Sequence, residues 1–284
     1  MTQAVIVNGS GTTNTFPAGS DYVVAMGDTF LDWAVLATEA YRQAIYRRAG
    51  VISDLLVRVA TNATTTTSTA TLRVNGSDVT NTVSIGSGAT GFFEDTTNSD
   101  TIASGDLVSA RFVNNDGTNS FEVNSVQVLF DSLGPVHVPF CAASTIAFST
   151  ASTTVYQALG GRNGTWDATE ANEAIVVRTP GVLANLRAYV SANARTTTTT
   201  IRSRKNTADG NQALTVGSGA TGAFEDTTNS DSFANGDSLA LSITTSTGTE
   251  TITVENIGAN FESQSNEQML TCTNPGGASF ATAS

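Results

Sequence analysis

The stretch GSGATGFFEDTTNSDTIASGD, Gly86 to Asp106, recurs as GSGATGAFEDTTNSDSFANGD, Gly217 to Asp237, at an offset of 131 and with all but four letters unchanged. A copied loop and a copied domain differ in how far the match extends. At the same offset and without a gap, residues 37–59 lie on 168–190 and residues 61–75 on 192–206. Gly117, Val123 and Phe130 fall on Gly248, Val254 and Phe261. Solenoid repeats run to about 20–50 residues, so a period of this length marks two tandem folding units.

Within each unit, apolar residues alternate or run in short blocks rich in β-branched side chains, which is the pattern of strands. Strands are predicted near Val23–Met26, Ala44–Arg47, Val51–Ala60, Thr69–Val74, Thr82–Ile85, Leu107–Val113 and Phe121–Phe130, with counterparts at the same offset in the second unit. Asn75-Gly76 suits a tight hairpin turn, and Ser104-Gly105-Asp106 ends a loop. Leu31 to Tyr46 allows at most a short helix, because its counterpart GTWDATEANEAIVV has no helical apolar stripe. Short strands with turn signals every 8–12 residues or so point to an all-β chain. The reading is two tandem jelly-roll-like β-sandwich domains, residues 1–134 and 148–262, joined by a linker or leading strand over 135–147.

Residues 263–284 follow the second unit. CTNPGGASFATAS, 272–284, resembles CAASTIAFSTAS, 141–152, so the chain is expected to end on an extra strand like the start of a third repeat. A lone strand needs a sheet edge, in its own chain or a neighbour's. Cys141 and Cys272 occupy equivalent positions of the two repeats. Equivalent positions of two domains rarely bring Cα atoms within the roughly 7 Å of a disulfide, so both are read as small buried hydrophobes.

The net charge of -12 and a single lysine, Lys205, argue against nucleic acid and anionic membranes as partners. No apolar run is long enough for a membrane helix. The first residues have neither the basic nor the apolar region of a signal peptide, so synthesis in a cytoplasm is expected. The 46 threonines, concentrated in TTTTSTATLRV and RTTTTTIRSR, are read as soluble β-formers.

Clustered carboxylates in a Gly-rich loop can gather Ca²⁺. Glu94, Asp95 and Asp100, repeated as Glu225, Asp226 and Asp231, are the candidate ligands. Their spacing matches no EF-hand, and such residues in turns commonly cap backbone N–H groups. Adjacent Glu94 and Asp95 would face opposite sides of a strand, the wrong geometry for a glycosidase pair. His137, the only histidine, sits between Pro135 and Pro139 and is read as packing or hinge. No P-loop, Rossmann or zinc pattern occurs, so no enzyme is expected. Arg42, Arg47 and Arg48, with Arg178 in the second unit, could dock on an acidic neighbour. Arg58, Arg73, Arg195, Arg202 and Arg204 on or near the Thr-rich strands are read as solvated edge residues or as further docking groups.

A turn such as AGVISDLLVRV or PGVLANLRAYV, then a Thr-rich strand, LRVNG, and an SGD or NGD turn resembles the jelly-roll modules of tailed-bacteriophage virion proteins. Capsid decoration (cement) proteins, head fibres and tail fibres use such modules. The resemblance covers residues 37–131 and 168–262; in the second unit LRVNG becomes RSRKNT. It implies a virion location, a homotrimer and the major capsid protein as partner. Attachment is then expected through Val5 to Phe16 (Val5, Ile6 and Phe16) and through the C-terminal strand (Cys272 and Phe280). The alternative is a fibre protein that binds host glycan, with Trp33, Tyr41 and Tyr46 as the aromatic cluster.

Overall fold

A computed structural model describes residues 2–27, 33–159 and 166–264. Cys272, Phe280 and the expected C-terminal strand lie outside the described residues. The first unit contains β1 (Thr2–Phe16), β2 (Asp21–Ala25), β3 (Trp33–Val35), β4 (Ala44–Ile45), β5 (Gly50–Asn62), β6 (Ser68–Val74), β7 (Ser77–Ile85), β8 (Gly91–Ile102), β9 (Leu107–Val113) and β10 (Phe121–Ser132). A short 3₁₀ helix, Leu36–Arg42, connects β3 to β4.

The second unit contains β11 (His137–Phe148), β12 (Thr154–Gln157), a single α-turn (Glu170–Glu173), β13 (Ile175–Val176), β14 (Gly181–Asn193), β15 (Thr199–Lys205), β16 (Ala208–Val216), β17 (Gly222–Glu225), β18 (Ser230–Phe233), β19 (Ser238–Thr245) and β20 (Ile252–Ser263). The bounds of β5, β6, β7 and β10 reappear at the repeat offset in β14, β15, β16 and β20. The segment 135–147 is largely β11, paired along its length with β20, so it belongs to the second sandwich.

Strand order makes each unit a jelly roll. In the first, one sheet runs β1-β10-β5-β8 and the other β2-β9-β6-β7, with β3 and β4 as short additions. Among the eight long strands, the first therefore pairs with the last, the second with the seventh, the third with the sixth and the fourth with the fifth. That is a long antiparallel hairpin wrapped into two facing sheets. The second unit repeats it as β11-β20-β14-β17, with β18 beside β14, and β12-β19-β15-β16.

Period-two alternation builds the cores. On β5, Ile52, Leu55, Val57 and Val59 face inward. The extra residue between Ile52 and Leu55 is absorbed by a bulge at Asp54 (φ 53), and the second unit places Asn185 (φ 57) at the same point. On β1, Ala4, Ile6 and Phe16 point inward while Val5 and Val7 point out. Phe16 stacks on Phe112 at 4.5 Å and on Phe121 at 5.1 Å between centroids. Ile6 and Phe16 thus close the first core and cannot serve as attachment contacts. Truncating Phe16 to alanine would cost about 3–5 kcal/mol.

The acidic stretch is not the loop that its glycines suggest. It is strand β8 from Gly91 to Ile102, and in the second unit it splits into β17 and β18. RSRKNT keeps the tight turn of LRVNG. Asn206 (φ 50) and Thr207 (φ 67) adopt the left-handed conformations of Asn75 (φ 51) and Gly76 (φ 80).

Candidate functional site

The aspartates of the acidic stretch are consumed in holding the fold. Asp95 is buried and accepts the backbone N–H of Thr82 (2.9 Å), Thr97 (3.1 Å) and Asn98 (3.1 Å) as well as the Asn98 amide. Burial alone would raise its pKa, yet these donors outweigh it and hold the carboxyl well below the usual range. Asp226 repeats the arrangement with Ala213, Thr228 and Asn229, and its pKa is lowered in the same way. Asp100 accepts from the backbone of Thr80 and Asn81, and Asp231 from that of Asn211 and Gln212. Glu94 stands exposed on the opposite face of β8 from Asp95, and Glu225 is paired with an arginine. The six proposed calcium ligands are not brought to one point, and no group of three metal-ligating side chains occurs among the described residues.

Three of the four arginines proposed for an external acidic neighbour, Arg42, Arg47 and Arg48, meet acidic residues of the same chain. Arg47 forks onto Glu225, with Nε donating to Oε1 at 2.8 Å and Nη2 to Oε2. Arg48 Nε donates to Glu262 Oε2 at 3.0 Å. Buried Arg42 donates to the Glu255 carbonyl at 3.2 Å, with the Glu255 carboxylate 3.7 Å away. All three cross from the first unit to the second.

They belong to a docking surface made by Gly27 and residues 41–48, laid on the outer face of the β11-β20-β14-β17 sheet. Gly27 C=O accepts the N–H of Cys141 at 3.1 Å, Gln43 C=O accepts from Asn256 at 2.9 Å, and Tyr41 packs on Tyr189 at 5.3 Å. A side chain at Gly27 (φ 92) would collide with the carbonyl of Pro139, so the approach requires glycine. His137 sits at this seam, buried, its Nε2 accepting the Arg47 N–H at 3.4 Å and its ring edge-on to Phe130. Desolvation lowers its pKa to about 4 against the opposing pull of Asn260 and Glu262. Cys141 is fully buried, its thiol donating to Asn256 Oδ1.

Other arginines are also internal rather than solvated. Arg73 pairs with Glu39 and Asp78, and Arg204 with Glu170 and Asp209, the same set in the second repeat. Buried Arg195 donates to the carbonyls of Ser246, Gly248 and Glu250. The corresponding loop of the first unit is held by the opposite charge, where Asp116 accepts the N–H groups of Thr65, Thr118 and Asn119.

The aromatic trio is not gathered. Trp33 packs on Tyr22, Tyr41 on Tyr189, and Tyr46 is buried against Phe130. A depression between Phe148, Thr153, Val155, Ile243 and Thr245 is lined by no titratable group. No helix among the described residues is long and apolar enough to cross a membrane.

What the sequence did not single out is the outer face of the first β1-β10-β5-β8 sheet. Residues paired across it carry Val5, Val7, Leu129, Val51, Leu56 and Phe92 on one side. Of seven exposed large hydrophobics among the described residues, four lie on this face. Period-two reading of β1 and β8 could have found it once both were recognised as strands. No protein-family model and no curated protein sequence matches this chain.

Proposed function

We propose that the chain is a non-enzymatic structural protein of a tailed-bacteriophage virion, a capsid decoration (cement) protein that binds the assembled head as a homotrimer. The observation that carries this reading is the strand order of both units, an eight-stranded jelly roll, an architecture found in viral capsid domains as well as in lectins and cupins. The surrounding chemistry agrees with a mechanical role. The acidic stretch spends its aspartates on backbone N–H groups, and most of the arginines tie strands, loops and units together. Two welded jelly rolls can grip a wide surface by avidity, and binding only the closed head raises the free energy of opening it.

Co-sedimentation of the purified chain with undecorated heads of the parent phage tests the proposal. Saturable binding at a fixed number of copies per head is expected. A chain that ignores heads but adheres to host cells contradicts it and supports the glycan-binding fibre reading.

A further inference from the structure

The contact between the two units is heterologous: a segment of the first jelly roll covers a sheet face of the second. Each unit therefore keeps the half that the other has used. The first unit retains the sheet face equivalent to the covered one, and the second retains the segment equivalent to the covering one.

Position by position the two halves correspond. Covered Arg187, Tyr189, Asn260 and Glu225 of the second sheet match Leu56, Arg58, Leu129 and Glu94 of the first, at the same register in β5, β10 and β8. The uncovered face is the more apolar one, and Phe92 on it is 67% exposed. On the other half, Val176 and Arg178 stand where Ile45 and Arg47 stand in the first unit. Val176 is 49% exposed, and Arg178 is exposed with no ion pair among the described residues. Glu94 is likewise exposed without an ion pair there. Five of the seven exposed large hydrophobics thus lie on these two surfaces. The pair that the internal contact makes, Arg47 with Glu225, has both of its counterparts, Arg178 and Glu94, in place.

We infer that the chain binds a second copy of itself head to tail. The Val176–Arg178 segment of one copy seats on the outer face of the first jelly roll of the next, over Val7, Leu56, Phe92 and Leu129, with Arg178 pairing Glu94. Exposed apolar area of this kind marks an interaction surface. A second copy is the occupant because it carries the complementary half, apolar and cationic, that the internal contact already uses. Heterologous contacts close into rings or run on as filaments. Three copies closed in this way form a ring of alternating first and second jelly rolls. The inference stands whether or not the partner of that ring is a phage head.

The test is the solution mass of the full chain by multi-angle light scattering over a range of concentrations, with Arg178→Glu, Glu94→Arg, the double swap, and Phe92→Glu. All three positions are exposed, and melting curves confirm folding. The wild type is expected as a multiple of the 29.3 kDa chain. Each single substitution should weaken association at least tenfold, and the double swap should restore it. A wild type that stays monomeric at all concentrations overturns the inference and leaves the face to residues 265–284 or to a different protein. An oligomer whose mass ignores all four variants overturns it as well, because assembly then uses another surface.

Discussion

Arg47 and Glu225 lie 178 residues apart in the chain and meet in a forked ion pair across the two jelly rolls, Nε to Oε1 at 2.8 Å and Nη2 to Oε2. Both side chains are largely covered, so the pair is screened less than a surface bridge, and its fork fixes geometry as well as charge. A double-mutant cycle of Arg47→Ala and Glu225→Ala should give a coupling of about 1 kcal/mol in urea unfolding. Additive losses would mean that the pair does not tie the units.

The seam should be sensitive to mild acid through His137. Its folded pKa of about 4 lies below the unfolded value of 6.5, so between those values the unfolded chain binds the extra proton. Stability is then fully present above pH 6.5 and falls as pH drops towards 4, by about 3 kcal/mol at most. His137→Gln should flatten that slope when unfolding free energy is measured at successive pH values. The lowered carboxylates Asp95 and Asp226 act in a separate window, their contribution fading as pH falls below the ordinary aspartate range.

Thr207 holds a left-handed backbone (φ 67) that β-branched residues resist, where the first unit has Gly76. Thr207→Gly relieves that strain against a smaller gain in unfolded-chain entropy, for a net stabilisation of roughly 0.5–1 kcal/mol. Gly76→Thr should destabilise by a similar amount. Thermal melts of the two variants moving in the same direction would contradict this account of the turn.

Arg195 gathers three carbonyls in a loop that the first unit closes with Asp116. Arg195→Met keeps much of the volume but orphans those acceptors, and should cost about 2–3 kcal/mol in chemical denaturation. A neutral result would show that water replaces the guanidinium at no cost.

Much of the fold was legible from one offset. Gly50–Asn62 and Gly181–Asn193 are the same strand from end to end, because the same alternation and turn residues recur in both repeats. β8 escaped notice because its inward position is an aspartate. Asp95 occupies a buried site that alternation reserves for apolar residues, and only its backbone donors make that tolerable. β1 escaped because NGSGTTN interrupts its apolar alternation. The arginines were recognisable as docking groups, but their acidic partners are remote in the chain, and no local pattern links Arg48 to Glu262 or Arg42 to Glu255. The apolar outer face became visible only when register placed Val7, Leu56 and Phe92 on one side of one sheet.

The proposed decoration role is tested most directly by the temperature at which DNA-filled heads of the parent phage open, measured with and without saturating chain. Preferential binding to the closed head predicts an upward shift that grows with the concentration of chain. An opening temperature unchanged at saturating occupancy would contradict it.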